Sequence, residues 1–376
     1  MPEPVQNLKV LFCCTGVGIC HRGIESFFRE AFDGLKYFRG LDCWLIKGAG
    51  ARTDHEIPVW CLPRTGRPAH WLGRLFGRTS YAAEQWTSFF PVVSQIRRLR
   101  PNIIFYSDAN LGFQLFFRRN WIGTPYQLLF SNGGPIRPPF DRTDFVHQVA
   151  PFYHKEALEY GEPPARHFMV PYGIHVPPPP VCDPCAKRSL RLLLDLPTDK
   201  PVVLSVGAIN RSHKRVHYVV EEIARLPEPR PFLQMLGMPD GESPGIIELA
   251  NQLLGPANFA VHSVPYPGVF DYYKAADVFV LGSLQEGFGR VYIEALMHGV
   301  PVIAHRHPVI EYVLGGQGVL GHLERPGELA RLLSRELLRG HHDAAIHARW
   351  QNVQDRFSWP VLSPQYSRMF HRVSNK

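Results

Sequence analysis

Short apolar runs alternate with longer segments of helical periodicity along almost the whole chain. Nine runs of four or five residues are rich in β-branched or aromatic side chains and are too short for helices, so they predict β-strands. These predicted strands are Val10–Cys14, Cys43–Ile46, Ile103–Tyr106, Gln127–Phe130, Val202–Val206, Phe232–Leu236, Phe259–His262, Val278–Leu281 and Val300–Ala304. Between them, apolar residues three and four positions apart predict amphipathic helices, for example within residues 24–35 and 216–224. This alternation predicts an α/β fold with parallel sheets covered on both faces.

The alternation breaks once, in the proline-rich segment 176–189, whose sequence VPPPPVCDPCAKRS suits neither a helix nor a strand. A chain of 376 residues is long enough for two domains. We therefore predict a first domain over residues 1–175, a linker over 176–189 and a second domain over 190–357, with a final helix at 358–376 crossing back to the first. In this architecture we expect ligands in a cleft at the carboxyl ends of the strands.

Composition and charge narrow the range of partners. The chain has 41 lysines and arginines against 33 acidic residues, a formal charge of +8 that favours anionic partners. No aromatic-basic recognition motif accompanies this charge, so nucleic acid is not expected. A polar N-terminus, seven scattered cysteines and the lack of an apolar run of about 18 residues predict a cytoplasmic protein. The lone C-x-x-C pair, Cys182 and Cys185, has no evident second ligand pair, so we expect no metal site.

Residues 64–78, RTGRPAHWLGRLFGR, combine an apolar stripe with arginines. Trp71, Leu75 and Phe76 belong to the stripe, and Arg74 and Arg78 lie beside it. This composition suits an interfacial helix on an anionic membrane, which would make the protein peripheral there. Two alternatives stay open at this point: a helix that packs its stripe on the domain core, which we favour, and contact with another anionic acceptor.

The first predicted strand leads into a glycine-rich turn that contains Gly16 and Gly18. Such a turn at a helix N-terminus offers outward-pointing N–H groups to an anion or another ligand. A tight turn without ligand and a dinucleotide site are the alternatives. The dinucleotide site is disfavoured because His21 replaces the third glycine of G-x-G-x-x-G and Lys47 replaces the acidic residue that would hold a ribose.

Two segments of the second domain carry the strongest candidate chemistry. After the strand at 202–206, Arg211 and Lys214 form a cationic loop that suits a pyrophosphate, although a solvated basic turn is an equal alternative. In segment 277–305, a buried strand leads to a glycine loop and then to a helix that carries Glu294. That loop, residues 286–290, is Glu286, Gly287, Phe288, Gly289 and Arg290. Its glycines let a phosphate approach the helix N-terminus, and two glutamates there suit sugar and ribose hydroxyls.

Segment 277–305 resembles the E-x7-E region of the retaining glycosyltransferases of family GT4, which have the GT-B fold. Similarities cover most of the chain. They include the first glycine loop (16–25), a turn before the linker (170–174), the cationic loop (206–214) and the start of the closing helix (357–359). The resemblance implies two Rossmann-like domains with parallel sheets facing across a cleft. The N-terminal domain would face the acceptor, and the C-terminal domain would bind a nucleotide-sugar.

The resemblance also implies the activity and its residues. A sugar would pass with retention from a UDP- or GDP-sugar to a hydroxyl acceptor in the biosynthesis of a glycan, glycolipid or glycosylated metabolite, without a metal or other cofactor. Lys214 and a nearby arginine would bind the diphosphate, Glu294 the ribose and Glu286 the donor sugar. The other expected donor-site residues are Gly16, Gly18, Gly287, Phe288, Gly289 and Arg290.

The sequence departs from the family pattern at two positions. Ala208 stands where an arginine is usual, so Arg211 is the expected substitute. Asp108 stands near the place of a histidine that contacts the donor sugar, and we expect it to act in catalysis with Glu286 and Lys214. A nucleotide-sugar epimerase on the same scaffold remains the alternative function.

Overall fold

A computed structural model describes residues 7–20, 22–134, 136–266, 268–340 and 342–375. His21 therefore lies outside the described residues. The chain divides into two compact units. Unit 1 comprises Met1–His175 with Phe357–Lys376, and unit 2 comprises Val176–Arg356.

The described residues form thirteen β-strands in two sheets, in which every paired strand is parallel. The strands of unit 1 are β1 (Leu8–Cys13), β2 (Leu41–Lys47), β3 (Glu56–Pro58), β4 (Ile103–Tyr106), β5 (Gln127–Asn132), β6 (Phe145–Gln148) and β7 (His167–Met169). Those of unit 2 are β8 (Val202–Val206), β9 (Phe232–Leu236), β10 (Phe259–His262), β11 (Val278–Val280), β12 (Val302–His305) and β13 (Val319–Gly321). The sheet orders are β3-β2-β1-β4-β5-β6-β7 and β10-β9-β8-β11-β12-β13, so both confirm the predicted α/β class.

Sixteen α-helices lie between and after these strands in the described chain. They are α1 (Gly23–Leu35), α2 (Arg67–Leu75), α3 (Ser80–Thr87), α4 (Phe89–Leu99), α5 (Ala109–Phe117), α6 (Arg119–Ile122), α7 (Pro151–Tyr160), α8 (Pro184–Leu193), α9 (Val216–Ala224), α10 (Ser243–Leu253), α11 (Val269–Ala275), α12 (Arg290–Met297), α13 (Pro308–Leu314), α14 (Glu328–Arg339), α15 (Asp343–Phe357) and α16 (Trp359–Ser374). None of the described helices is both long and apolar enough to cross a membrane.

Helices cover both faces of the unit 1 sheet. Alternate residues of a strand point to opposite faces, so neighbouring residues of β1 show what packs on each face. On β1, Leu11 and Cys13 pack in a core with the buried faces of α4 and α5. Phe12, between them, packs edge-on against Phe28 of α1 and Phe370 of α16. The C-terminal helix α16 therefore completes the core of unit 1, on the layer that it shares with α1.

All nine predicted strands are present, and four further strands were missed. The strands at 103–106, 202–206, 232–236 and 259–262 are confirmed with their predicted ends. The missed strands β3, β6, β7 and β13 have three or four residues each. Polar residues such as His147 and Gln148 of β6 interrupt the apolar pattern, although both are fully buried within the unit. Partners outside β6 satisfy their side chains: His147 bonds the Val170 carbonyl, and Gln148 bonds Asn132 and His167. The pattern of apolar positions does not reveal these hydrogen bonds.

The interpretation of residues 176–189 as a linker without helix is wrong in its second half. Helix α8 begins at Pro184, and Asp183 caps it by accepting hydrogen bonds from the N–H groups of Cys185 (2.9 Å) and Ala186 (3.0 Å). Proline is well tolerated at the first position of a helix, and aspartate is a good N-cap. The proline that argued against a helix therefore marks where one begins.

The favoured interpretation of residues 64–78, a stripe packed on the core, is also wrong. Helix α2 buries its small residues Ala69 and Gly73. The large apolar side chains of Trp71, Leu75 and Phe76 are instead exposed, at 67%, 61% and 60%. The periodicity predicted the helix correctly, but it did not show which face the protein covers.

We predict that Trp359→Ala lowers the free energy of unfolding of unit 1 by about 3–5 kcal/mol, because it opens a cavity in a closely packed site. Trp359 is 4% exposed and lies against the backbones of Gly34 and Gly173. Chemical denaturation followed by far-UV circular dichroism measures the change. Val361→Ala on the more exposed side of α16 is the matched control and should cost less than about 1 kcal/mol. Equal effects of the two substitutions would contradict this packing.

Candidate functional site

The strand order of unit 2 reverses between β8 and β11, which are neighbours in the sheet. From β8 the chain continues outward to β9 and β10, and from β11 it continues to β12 and β13 on the other side. In open α/β sheets, ligands bind at the carboxyl ends of the strands at such a reversal. The two loops that meet there are residues 207–215 and 281–289, which contain the predicted cationic loop and glycine loop.

Asn210 organises the cationic loop. Its side-chain oxygen accepts hydrogen bonds from the N–H groups of His213 (3.2 Å) and Lys214 (2.7 Å). Its amide nitrogen donates to Asp240 at 3.1 Å. An asparagine turn therefore orders the loop, although residues 211–213 are exposed to solvent. The N–H group of Arg211 is bound by Glu242, while the Arg211 side chain is exposed.

Lys214 and Glu286 join the two loops directly. The Lys214 Nζ donates a hydrogen bond of 2.6 Å to Glu286 Oε1. Both side chains are largely buried, at 15% and 7% exposure. The Lys214 stem lies over Gly207, where a Cβ atom would be 3.2 Å from Lys214 Cε. Lys214, the residue predicted to bind the diphosphate, therefore contacts Glu286, the residue predicted to contact the sugar, at the reversal point of the sheet.

Arg215 adds a second connection between the same loops. Its Nη1 donates to the carbonyls of Gly282 (3.1 Å) and Leu323 (2.9 Å), and its guanidinium stacks over the Tyr218 ring at 4.6 Å. Arg215 has a left-handed backbone conformation, with φ of 48°, immediately before α9. The sequence analysis missed this residue because an arginine in a basic loop carries no signal that separates a structural role from a ligand role.

The glycine loop ends at the N-terminus of α12. Gly289 has φ of +80°, a conformation that favours glycine, and a Cβ there would lie 2.6 Å from the Tyr292 ring. Phe288 and Arg290 on either side are buried, and Gly287 is half-buried. Free N–H groups of a first helical turn attract anions, so this turn is suited to phosphate.

Glu294 lies one turn into α12 and is held in place by an aromatic neighbour. Tyr273 donates its hydroxyl to Glu294 Oε2 at 3.2 Å, and Arg290 Nε is 4.0 Å from Oε1. Burial, and then the nearby Glu294 charge, raise the pKa of Tyr273 well above its ordinary value, so the phenol stays a donor. The ring of His298 stacks on Tyr273 from the other side, with centroids 5.8 Å apart.

The sheet of unit 1 has the same kind of reversal, between β1 and β4, and there the loops are joined by Asp108. Asp108 Oδ2 accepts from the Thr15 N–H at 2.7 Å and from the Thr15 hydroxyl at 3.0 Å. Asp108 Oδ1 accepts from the Tyr81 hydroxyl at 3.0 Å. The residue is 1% exposed, and burial raises the pKa of its carboxyl. A sugar would reach Asp108 only if this network opened, which does not fit the predicted direct contact.

Arg64 is the centre of this buried network, and no motif or spacing in the sequence points to it. Its guanidinium donates to Glu84 Oε1 and Oε2 at 2.5 and 3.0 Å and to Glu25 Oε1 at 2.9 Å. Gly16 lies directly against the Arg64–Glu25 ion pair, since a Cβ there would be 2.4 Å from Glu25 Oε1. Gly18, with φ of +83°, approaches the backbone of Ala49 equally closely. In unit 1 the glycine loop therefore accommodates interior side chains.

The site residues predicted from sequence thus fall in two groups. Lys214, Glu286, the glycine loop and Glu294 lie on the two loops and the helix at the reversal point of unit 2. Gly16, Gly18 and Asp108 lie at the corresponding point of unit 1. Among the residues that the structure describes, no group of three or more histidine, cysteine, aspartate or glutamate side chains is arranged to hold a metal ion.

Known proteins resemble both the second unit and the whole fold. Residues 189–347 match the family described as glycosyl transferases group 1. A D-inositol 3-phosphate glycosyltransferase of Xylanimonas cellulosilytica is 32% identical over 212 residues, which are 53% of this chain and 50% of that protein. The chain spans about half the length of the first curated relatives that it matches.

Solved structures extend the likeness to nearly the full chain. The sucrose-phosphate synthase of Thermosynechococcus elongatus has a TM-score of 0.75 and 18% identity, covering 98% of this chain and 99% of that one. The Anabaena protein HepE, solved in complex with UDP-glucose, has a TM-score of 0.74 and 15% identity, covering 97% and 100%. The comparisons do not support a nucleotide-sugar epimerase. Residues 189–347 belong to the glycosyl transferases group 1 family, and the chain has the GT-B fold of two Rossmann-like units.

Proposed function

We propose that this protein is a retaining glycosyltransferase that moves a sugar from a nucleoside-diphosphate sugar to a hydroxyl acceptor. The observation that carries the proposal is the contact between Lys214 and Glu286 at the strand reversal of unit 2, beside the N-terminus of α12. A cation and a helix N-terminus stabilise a departing diphosphate, and a carboxylate can oppose the positive charge that grows on the sugar. The UDP-glucose bound by the HepE structure adds support for a nucleotide-sugar donor.

In the proposed reaction, the bond between the anomeric carbon and the diphosphate oxygen breaks. The acceptor hydroxyl oxygen forms its bond to the same carbon on the same face, and its proton passes to the departing phosphate. Negative charge grows on the diphosphate and positive charge grows on the sugar ring. Lys214, the exposed Arg211 and the first turn of α12 stabilise the former, and Glu286 opposes the latter.

The short Lys214–Glu286 contact gives the two residues a shared role. A diphosphate carries negative charge and competes with Glu286 for the Lys214 ammonium. Each bond that the ammonium donates to phosphate weakens its hold on the carboxylate, which then becomes available to sugar hydroxyls. We therefore propose that the pair couples diphosphate binding to the orientation of Glu286 towards the donor sugar. Asp108 is proposed as a positioning residue, because it connects the β1 and β4 loops through Thr15 and is itself buried.

Glu294 is proposed to bind the ribose of the donor. It lies in the second turn of α12, about one turn from the proposed phosphate site at the helix N-terminus, which supports a contact with the nucleoside. A carboxylate accepts hydrogen bonds from paired ribose hydroxyls with both oxygens. The hydrogen bond from Tyr273 at 3.2 Å fixes the orientation of the carboxylate before the nucleotide arrives.

The activity itself is tested with a panel of UDP- and GDP-sugars and simple hydroxyl acceptors, followed by release of the nucleoside diphosphate. We expect release with at least one donor and a product whose anomeric configuration matches the donor. We expect turnover to survive chelation by EDTA, because side chains and helix N–H groups supply the positive charge at the diphosphate. A product of inverted configuration, or a loss of turnover that Mg²⁺ or Mn²⁺ restores, would contradict the proposal.

Lys214→Ala should weaken UDP or GDP binding by about 1.5–3 kcal/mol, the range for hydrogen bonds to charged groups. Glu286→Gln should leave that affinity unchanged or slightly higher, because Lys214 keeps its charge and loses a competitor. Its loss should fall on kcat, by about 10²–10³-fold, since it removes a charge that acts as the transition state forms. Calorimetric titration and steady-state kinetics on one preparation separate the two effects.

In Lys214→Ala, the Glu286 carboxylate stays buried without its lysine partner. The double variant Lys214→Ala/Glu286→Gln controls for this effect, because it also removes the charge of residue 286. It should bind the nucleotide as weakly as Lys214→Ala alone while recovering any lost melting temperature. A destabilised Glu286→Gln protein with near-normal kcat would show that Glu286 has a structural role only. Unchanged nucleotide affinity in a folded Lys214→Ala protein would show that Lys214 does not bind the diphosphate.

Glu294→Ala should weaken nucleoside diphosphate binding by at least roughly tenfold, because the lost hydrogen bonds involve a charged group. A 2′,3′-dideoxy nucleotide lacks the hydroxyls, so its affinity should be nearly the same for wild type and variant. Titration calorimetry with the two nucleotides makes the comparison. Glu248→Ala, an exposed glutamate of α10, is the control and should change neither affinity. An equal loss for both nucleotides would disprove the ribose contact.

A further inference from the structure

One helical layer of unit 1 has an unusual surface. Helices α4 and α5 cover the face of the sheet opposite α1 and α16, as the alternation along β1 shows. Helix α3 packs on both α4 and α5, α2 packs on α3, and α6 packs on α5. These five helices therefore form one layer. We call its solvent-exposed side, between residues 60 and 126, the arginine face.

Large apolar side chains protrude from this face. Three lie at α2, where Trp71, Leu75 and Phe76 are exposed while the small residues of the helix face inward. Three more lie on α4, α5 and α6, namely Phe90 (68%), Phe117 (66%) and Trp121 (54%). Isolated exposed apolar residues are common in proteins, but two such groups on one layer indicate a surface that contacts an apolar medium.

The charge of the same face is almost entirely of one sign. Residues 60–126, all of which the structure describes, contain nine arginines, no lysine and two acidic residues. The excess of seven positive charges compares with a formal charge of +8 for the whole chain. Both acidic residues, Glu84 and Asp108, are buried, so no carboxylate on this stretch reaches the surface. The exposed arginines are Arg67, Arg74, Arg78, Arg97, Arg98, Arg100 and Arg118.

We propose that the arginine face docks unit 1 on the surface of an anionic phospholipid membrane. Tryptophan and phenylalanine rings suit the boundary between headgroups and acyl chains, and arginines beside them pair with headgroup phosphates. Leu75 supports a lipid over a nucleic acid, because an aliphatic side chain gains from hydrocarbon and has no ring to stack on a base. Residues 60–126 present no surface carboxylate of their own to repel an anionic bilayer, and Asp144 from outside this stretch is paired with Arg119.

This inference is independent of the proposed transferase chemistry, so its test measures binding and not turnover. The full chain is sedimented with vesicles of pure phosphatidylcholine, or of phosphatidylcholine with about a third phosphatidylglycerol, a lipid of negative charge. We expect binding to the anionic vesicles, weaker binding at high salt, and little binding to the neutral ones. A blue shift of tryptophan fluorescence on the anionic vesicles reports entry of the rings into the interface.

Two pairs of variants locate the contact. Trp71→Ala/Phe76→Ala should lower the vesicle partition coefficient by roughly tenfold or more, because both rings leave the interface. Tyr37→Ala/Tyr160→Ala, also at exposed rings of unit 1 but outside the arginine face, should leave it unchanged. Arg74→Gln/Arg78→Gln should lower it by about fivefold per arginine. Arg368→Gln/Arg372→Gln on α16 removes the same charge from the opposite layer and should have little effect.

Several outcomes would overturn the proposal. Equal losses for the face variants and their controls would mean that net charge, and not this surface, drives binding. Vesicle binding that depends on the arginines but not on Trp71 and Phe76 would show adsorption by charge alone, without entry of the rings into the interface. Tight binding to an RNA or DNA oligonucleotide with none to vesicles would indicate a soluble polyanion as the partner. Because all eight positions are exposed, unchanged melting temperatures are expected and confirm that the variants are folded.

Discussion

The contact between Lys214 and Glu286 depends on a single property of the sheet, the reversal of strand order between β8 and β11. The two residues are 72 positions apart in sequence, but they follow strands that are hydrogen-bonded neighbours. Because β9 and β12 continue on opposite sides, no crossover covers the carboxyl ends of the central pair. Polar groups on the two loops can therefore contact each other inside the unit and stay accessible to a ligand at the carboxyl edge of the sheet.

Unit 1 has the same reversal but uses it differently. There, Thr15 and Asp108 connect the loops after β1 and β4, just as Lys214 and Glu286 connect those after β8 and β11. The connection in unit 1 is almost completely buried, and both oxygens of Asp108 accept from protein donors. A buried charge is costly to leave unpaired, so this network holds the loops in place and is ill suited to exchange partners with a ligand. The pair in unit 2 is simpler and less enclosed, which suits a site that a diphosphate must enter.

Local patterns predicted much of the fold, and they failed where burial or distance in sequence decided the outcome. The strand at 202–206 and the helix at 216–224 have uninterrupted apolar patterns and were placed correctly. Strand β6 was missed because polar residues interrupt its apolar pattern, although partners outside the strand satisfy them in the interior. Arg64 contacts Glu84 and Glu25, which are 20 and 39 positions away, so no spacing could reveal the network. Periodicity also could not show that α2 turns its small residues inward, because it identifies a face without showing what covers it.

The buried network of unit 1 and the charge of its surface have a common origin. Between residues 60 and 126 the only two carboxylates are Glu84 and Asp108, and both are used in the interior, where they pair with Arg64 and anchor Thr15. Arg64 supplies the buried cation for this network: its planar group bonds Glu84 and Glu25 at once and lies 4.0 Å from Asp108. The other arginines of this stretch are then left without acidic neighbours from the same segment. The positive surface of this layer thus consists of seven exposed arginines without a surface acid from the same stretch, and the exposed rings on the same helices add the apolar component that charge alone does not explain.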